Sequence, residues 1–125
     1  MKNNQIDEFI PENFDEAVDF LAKEFKKINA SPSQPGWHHS GGMNLRNGWG
    51  LWGNSTPIAK WFTEHQLYHG DDRSGILADA VKAKLNGLDF DVFERIQYYQ
   101  NWWLNTYGEK CSLENMKKDF FESLK

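Results

Sequence analysis

Apolar residues recur three and four positions apart along most of this chain, which is the spacing of one face of an α-helix. The clearest case begins after Asn13 and predicts a helix over 14–29, with acidic residues in its first turn and lysines in its last. The same pattern predicts four further helices, at 57–65, 73–86, 90–106 and 113–124. No run alternates apolar and polar residues as a half-buried strand does. The chain is therefore predicted to be all-α, a single compact domain of five to six short helices.

Two of these helices have recognisable start signals. Thr56 followed by Pro57 is a capping residue with proline at the first helical position. Asp71 or Asp72 is expected to cap the helix at 73–86, because a carboxylate accepts hydrogen bonds from the first backbone N–H groups.

The stretch after Ser40 carries opposing signals. Leu45, Trp49 and Trp52 stand at positions i, i+4 and i+7, which would place them on one face of a sixth helix. Four glycines in residues 40–52 disfavour a helix, each at a cost of about 1 kcal/mol relative to alanine. We expect a helix here, with glycines that let another backbone approach closely.

The domain organisation follows from polarity and aromatic content. Residues 1–10 are expected to be a flexible N-terminal tail, and residues 11–125 a single helical domain. Nine Phe, six Trp and four Tyr supply enough apolar area for a core without a metal or a crosslink. The residues expected to be largely buried are Phe14, Leu21, Phe25, Trp52, Phe62, Leu77, Val81, Ile96 and Trp103.

Composition excludes several classes of protein. The 125 residues contain 14 Lys and Arg against 18 Asp and Glu, a net charge of −4 that argues against a nucleic-acid binder. No stretch is long and apolar enough to span a membrane. The single cysteine, Cys111, fits a reducing compartment, and the polar N-terminus lacks the apolar core of a signal peptide. We therefore expect a cytoplasmic protein.

Residues 36–70 differ from the rest of the chain in having almost no charge. They contain only Arg46, Lys60 and Glu64 as charged residues, together with all four histidines and four of the six tryptophans. Charged side chains normally cover a solvated surface. This window is therefore either the central layer of the core or a surface kept for contact.

Arg46 is the most informative residue of this window. One interpretation is a buried ion pair between Arg46 and Asp71 or Asp72, because a buried arginine requires a partner. The other is an arginine presented among tryptophans, since Arg and Trp are enriched in interface hot spots. The predicted binding residues are Trp37, Arg46, Trp49 and Trp52.

Polar residues in and after the window could also form a small pocket. The candidate catalytic residues are His39, Arg46, His69 and Asp72. His65 and His69, four apart, could also bind a divalent metal with an aspartate, but Glu64 does not stand between them as in the zinc-protease pattern. We expect no metal and no cofactor.

The central block also resembles a known group of proteins. Residues 39–52 read H-x3-M-x-L-R-N-x-W-G-L-W, residues 69–74 read H-x-D-D-x-S, and residues 11–17 read P-E-N-F-D-E-A. Together, over about residues 11–103, these resemble a small domain family of unknown function found in bacteria and their phages. The resemblance implies the domain boundaries and a bacterial or phage origin, and it implies no activity.

The leading functional hypothesis is a non-enzymatic, acidic protein-binding module, in its sharpest form an inhibitor such as a toxin-immunity or phage counter-defence protein. The partner is expected to be another protein. One alternative is a small hydrolase or ligand-binding domain that uses a His/Arg/Asp pocket. A second alternative is a structural or regulatory homodimer.

Overall fold

A computed structural model describes residues 9–28 and 41–125 of the chain. Within these ranges the protein consists of helices and loops without any β-strand, so the predicted all-α fold is confirmed. The tail predicted at 1–10 lies mostly outside the described residues. The helices are α1 (Phe14–Lys27), α2 (Gly41–Gly48), α3 (Pro57–Glu64), α4 (Gly70–Leu85), α5 (Val92–Tyr107), a 3₁₀ turn (Gly108–Cys111) and α6 (Leu113–Ser123).

Helix α1 begins with the cap that its sequence predicts. The side chain of Asn13 accepts a hydrogen bond from the backbone N–H of Glu16 at 2.9 Å, and the Glu16 carboxylate accepts one from the N–H of Glu12. The apolar face of α1 packs mainly against α4. Its buried residues are Phe14, Ala17, Val18, Leu21, Ala22 and Phe25.

Most of the predicted core is buried, but the prediction for Trp52 is wrong. Trp52 is 50% exposed, and Trp103 is only partly buried. The reason is that α2 ends at Gly48 and the chain turns at Gly50, which has φ +64°. The helical spacing therefore stops before Trp52, whereas Trp49 stays inside and its indole N–H donates to the carbonyl of Phe9 at 2.8 Å.

A fully buried arginine, Arg73, holds the centre of the fold together. Its Nε donates to the carbonyl of Leu67 at 2.6 Å, and its Nη1 donates to the carbonyls of Leu51 and Gly53 at 3.1 and 2.8 Å. Its Nη2 donates to the hydroxyl of Thr63 at 3.1 Å. Arg73 thus joins α4 to α3, to the connector before α4 and to the turn after α2.

The last two helices are attached at few points. Tyr99 and Arg95 of α5 both donate to the carboxylate of Asp79 on α4, at 3.0 and 2.8 Å. Helix α6 buries a single residue, Phe120. Among the described residues, no helix combines the length and apolar character needed to cross a bilayer.

Candidate functional site

The start of α4 brings several predicted residues together. The Nε of Arg46 lies 3.3 Å from a carboxylate oxygen of Asp71, which confirms the predicted ion pair. The Nη1 of Arg46 also donates to the hydroxyl of Ser74 at 2.8 Å, and the guanidinium lies 5.8 Å from the ring centroid of Trp52. Arg46 is buried while Asp71 is partly exposed. The arginine is therefore engaged in joining α2 to α4.

The cap of α4 differs from the prediction. His69 is the capping residue, and its Nδ1 accepts a hydrogen bond from the backbone N–H of Asp71 at 3.2 Å. The prediction that Asp71 or Asp72 caps the helix is wrong, because the helix starts at Gly70 and places both aspartates in its first turn. Their negative charges still stabilise the helix, because they lie at the positive end of its dipole.

Asp72 is bonded to a residue that the sequence placed in the core. The indole Nε1–H of Trp103 donates to a carboxylate oxygen of Asp72 at 2.7 Å. Burial raises the pKa of Asp72, and the hydrogen bond from Trp103 opposes this shift. Of the four catalytic candidates, Arg46 and Asp72 are thus paired internally, whereas His69 reaches the surface. His39 lies outside the described residues, as does the predicted binding residue Trp37.

The other predicted histidine does not join His69. His65 stacks on Trp61 with ring centroids 3.9 Å apart, and its Nδ1 lies 2.7 Å from the carbonyl of Trp61. Across residues 9–28 and 41–125, no three His, Cys, Asp or Glu side chains form a group that could hold a metal ion.

Beside His69, a cleft of about 300 Å³ opens between the start of α4 and the C-terminal helices. Gly70 lies in its wall, where an added Cβ would come within 2.6 Å of the Trp52 ring, so glycine lets that ring lie against the helix start. The cleft is lined by Trp52, Tyr68, His69, Gly70, Trp103, Lys110, Cys111, Met116, Asp119, Phe120 and Ser123.

Next to the cleft, aromatic rings continue across the surface from Trp52 to the end of α5. The ring centroids are 5.4 Å apart for Trp52 and His69, 5.3 Å for His69 and Trp103, and 5.4 Å for Trp103 and Tyr107. Trp102 lies 6.0 Å from Tyr107. These five residues are called the aromatic surface below.

Sequence reasoning found Trp52 and His69 of this region but missed most of the rest. Met116, Asp119, Phe120 and Ser123 follow the i, i+3, i+4, i+7 spacing of one helix face, which is the signal that could have pointed to them. The binding candidate Trp49 is fully buried and contributes nothing to the surface.

These features define an all-α domain in which two candidate catalytic residues, Arg46 and Asp72, are paired internally, and whose surface carries an aromatic cleft. Residues 10–85, more than half of the chain, match the family model described as Domain of unknown function (DUF6794), and the chain belongs to that family. The matched range ends with α4, so α5, the 3₁₀ turn and α6 lie outside it. No curated protein and no solved structure matches the chain.

Proposed function

We propose that this protein is a non-enzymatic module that binds another protein through the aromatic surface. The observation that carries the proposal is the exposure of large aromatic side chains that touch one another. Trp52 is 50% exposed, Trp102 44% and Tyr107 47%. Contiguous apolar patches of this kind are typical of protein interaction sites, and Trp and Tyr are enriched among hot-spot residues.

The arrangement of the polar residues favours binding over catalysis. A hydrolase would need a base and a nucleophile or water site that converge on a cleft. Here Arg46 is held by Asp71 and Ser74, and Asp72 accepts from Trp103. Of the candidate catalytic residues that the structure describes, only His69 lines the cleft, and its Nδ1 is used to cap α4.

A sharper form of the proposal is an inhibitor of bacterial or phage origin that acts in the cytoplasm, such as a toxin-immunity or phage counter-defence protein. Its acidic character supports this form, because a net charge of −4 speeds encounter with a basic target. Co-expression with the product of a neighbouring gene tests it. Protection of cells by the wild type, and not by a Trp102→Ser variant, is the expected result.

The general proposal is tested by site-specific photocrosslinking in the source cell. A benzophenone amino acid replaces Trp102 in one variant. In the control variant it replaces Phe93, which is also aromatic and exposed but lies at the other end of α5. We expect one protein to crosslink from position 102 and not from position 93. That protein, once purified, should bind at least about tenfold more weakly to a Trp102→Ser, Tyr107→Ser variant.

Two results would refute the proposal. One is a crosslinking pattern that is the same from both positions. The other is a purified partner whose affinity is unchanged by the double substitution while circular dichroism shows an intact fold.

A further inference from the structure

The cleft beside the aromatic surface contains a polar group to which none of the described residues forms a hydrogen bond. Tyr68 is only 8% exposed, yet in the described part of the chain its hydroxyl forms no hydrogen bond. The hydroxyl oxygen itself is not sealed from the surface. Tyr68 lines the cleft. Because this oxygen opens onto the cleft and the described residues leave it unpaired, a ligand bound in the cleft can complete its hydrogen bond.

The surroundings make this hydroxyl a hydrogen-bond donor. Burial raises the pKa of Tyr68, and the positive charge of Arg73 opposes the shift, so the phenol stays protonated at neutral pH. The guanidinium of Arg73 lies 5.1 Å from the centroid of Phe120, whose ring lies 5.2 Å from that of Tyr68. Among the described residues, the hydrogen-bond partners of Arg73 are three carbonyls and a hydroxyl, all of them uncharged. Its uncompensated charge favours an electron-rich atom near the base of the cleft.

The rest of the cleft is suited to an aromatic side chain. Trp52, Trp103 and Phe120 provide ring surfaces, and Met116 provides a polarisable thioether. A volume of about 300 Å³ is at the small end of ligand sites and fits one large side chain. The occupant therefore needs an apolar body that carries a hydrogen-bond acceptor.

The donor and acceptor inventory of side chains selects one type. Tryptophan and the cationic side chains only donate, and phenylalanine and leucine do neither. An amide or a neutral histidine accepts, but its own N–H groups would be left unpaired against the ring surfaces of the cleft. A carboxylate would lose its hydration in an apolar site. A tyrosine side chain has an aromatic body and an oxygen that accepts.

We propose that the cleft receives a tyrosine side chain of the partner protein, whose phenolic oxygen accepts a hydrogen bond from the hydroxyl of Tyr68. This inference rests on the proposed function, since it names what the partner inserts beside the aromatic surface. Residues outside the matched family range, among them Trp103 and Phe120, complete the cleft. The selectivity for tyrosine thus depends on the C-terminal helices as well as on the family domain.

The test uses two small probes, N-acetyl-L-tyrosine amide and N-acetyl-L-phenylalanine amide, which differ by one hydroxyl. Their binding to the purified protein is followed by NMR through the indole signals of Trp52 and Trp103, and by protection of Cys111 from alkylation. The tyrosine probe is expected to bind about three- to tenfold more tightly, the effect of one neutral hydrogen bond. Tyr68→Phe should abolish this preference and leave the affinity for the phenylalanine probe unchanged.

A matched control keeps the result specific. Tyr98→Phe removes the same atom from an exposed residue of α5 that does not line the cleft, and it should retain the full preference. Tyr68→Phe is expected to fold normally, because its hydroxyl has no bond to lose within the described residues; circular dichroism checks this.

Three results would overturn the inference: equal affinity for the two probes, a preference that survives Tyr68→Phe, or no change at the cleft up to the solubility limit of the probes. None of these depends on the crosslinking result at position 102. A cleft without tyrosine preference would leave the protein-binding proposal intact. A Tyr68-dependent preference together with identical crosslinking from positions 102 and 93 would refute the protein-binding proposal and leave the selectivity of the cleft for a tyrosine side chain standing.

Discussion

Replacing Arg73 with leucine should cost this protein about 3 kcal/mol of stability. The substitution leaves the carbonyls of Leu51, Leu67 and Gly53 without their donor. Two of these hydrogen bonds are buried, and an unsatisfied buried carbonyl costs about 1–3 kcal/mol. The substitution also removes a desolvated charge whose partners in the described part of the chain are all neutral. This offsets part of the loss, so the expected sum is about 3 rather than about 6 kcal/mol.

Urea unfolding followed by circular dichroism measures the effect. At an m-value of about 1.5 kcal/mol/M, the midpoint should fall by about 2 M. Arg95→Leu is the matched control, because that arginine is partly exposed and its pair with Asp79 should contribute less than about 1 kcal/mol. Arg73→Lys should recover only part of the loss, since an ammonium does not reproduce the planar fork. A cost for Arg73→Leu no larger than that of Arg95→Leu would refute the reasoning.

Three further substitutions give checks of the same kind. Arg46→Ala should cost about 2 kcal/mol in urea unfolding, less than for a fully buried pair because its carboxylate partner is partly hydrated; no loss would mean that the arginine is not holding α2 to α4. Asp72→Asn keeps an acceptor for Trp103 and removes a buried charge. Because burial raises the pKa of Asp72, the wild type should lose stability relative to the variant as the pH rises from about 4 towards neutrality, and the two should be similarly stable in acid. A difference in melting temperature between the two proteins that stays constant across this pH range would contradict the prediction. Gly70→Ala should displace the Trp52 ring, seen as a shift of its fluorescence, because the new Cβ would lie within 2.6 Å of that ring; an unchanged spectrum would argue against the close contact.

Features set by neighbouring residues could be predicted from the sequence. The cap at Asn13 and the start signal at Thr56 need only local hydrogen bonds, and both side chains accept from the backbone as expected. The pair between Arg46 and Asp71 could be predicted without knowing the fold, because an arginine in an uncharged stretch needs polar partners when it is buried, and Asp71 and Asp72 at a later helix start can supply them.

Features that depend on contacts between distant parts of the chain could not be predicted from the sequence. Trp52 was misplaced because periodicity does not reveal where a short helix stops, and the left-handed turn at Gly50 decides it. Arg73 lies beside two aspartates in the sequence but bonds to neither, since its partners come from three other segments. The cleft needs Phe120 and Tyr68 to meet, and they are 52 residues apart.

Helix α6 buries only one of its residues, Phe120, and this has a consequence for motion. Burying one phenylalanine contributes about 1.5–3 kcal/mol, so on the order of 1% of molecules should have the last helix released at any moment. Amide hydrogens of α6 should then exchange with solvent through local opening, long before those of α4 do. The outer wall of the cleft is the part of the fold that opens most readily, and a bulky partner can enter without unfolding the domain beneath it.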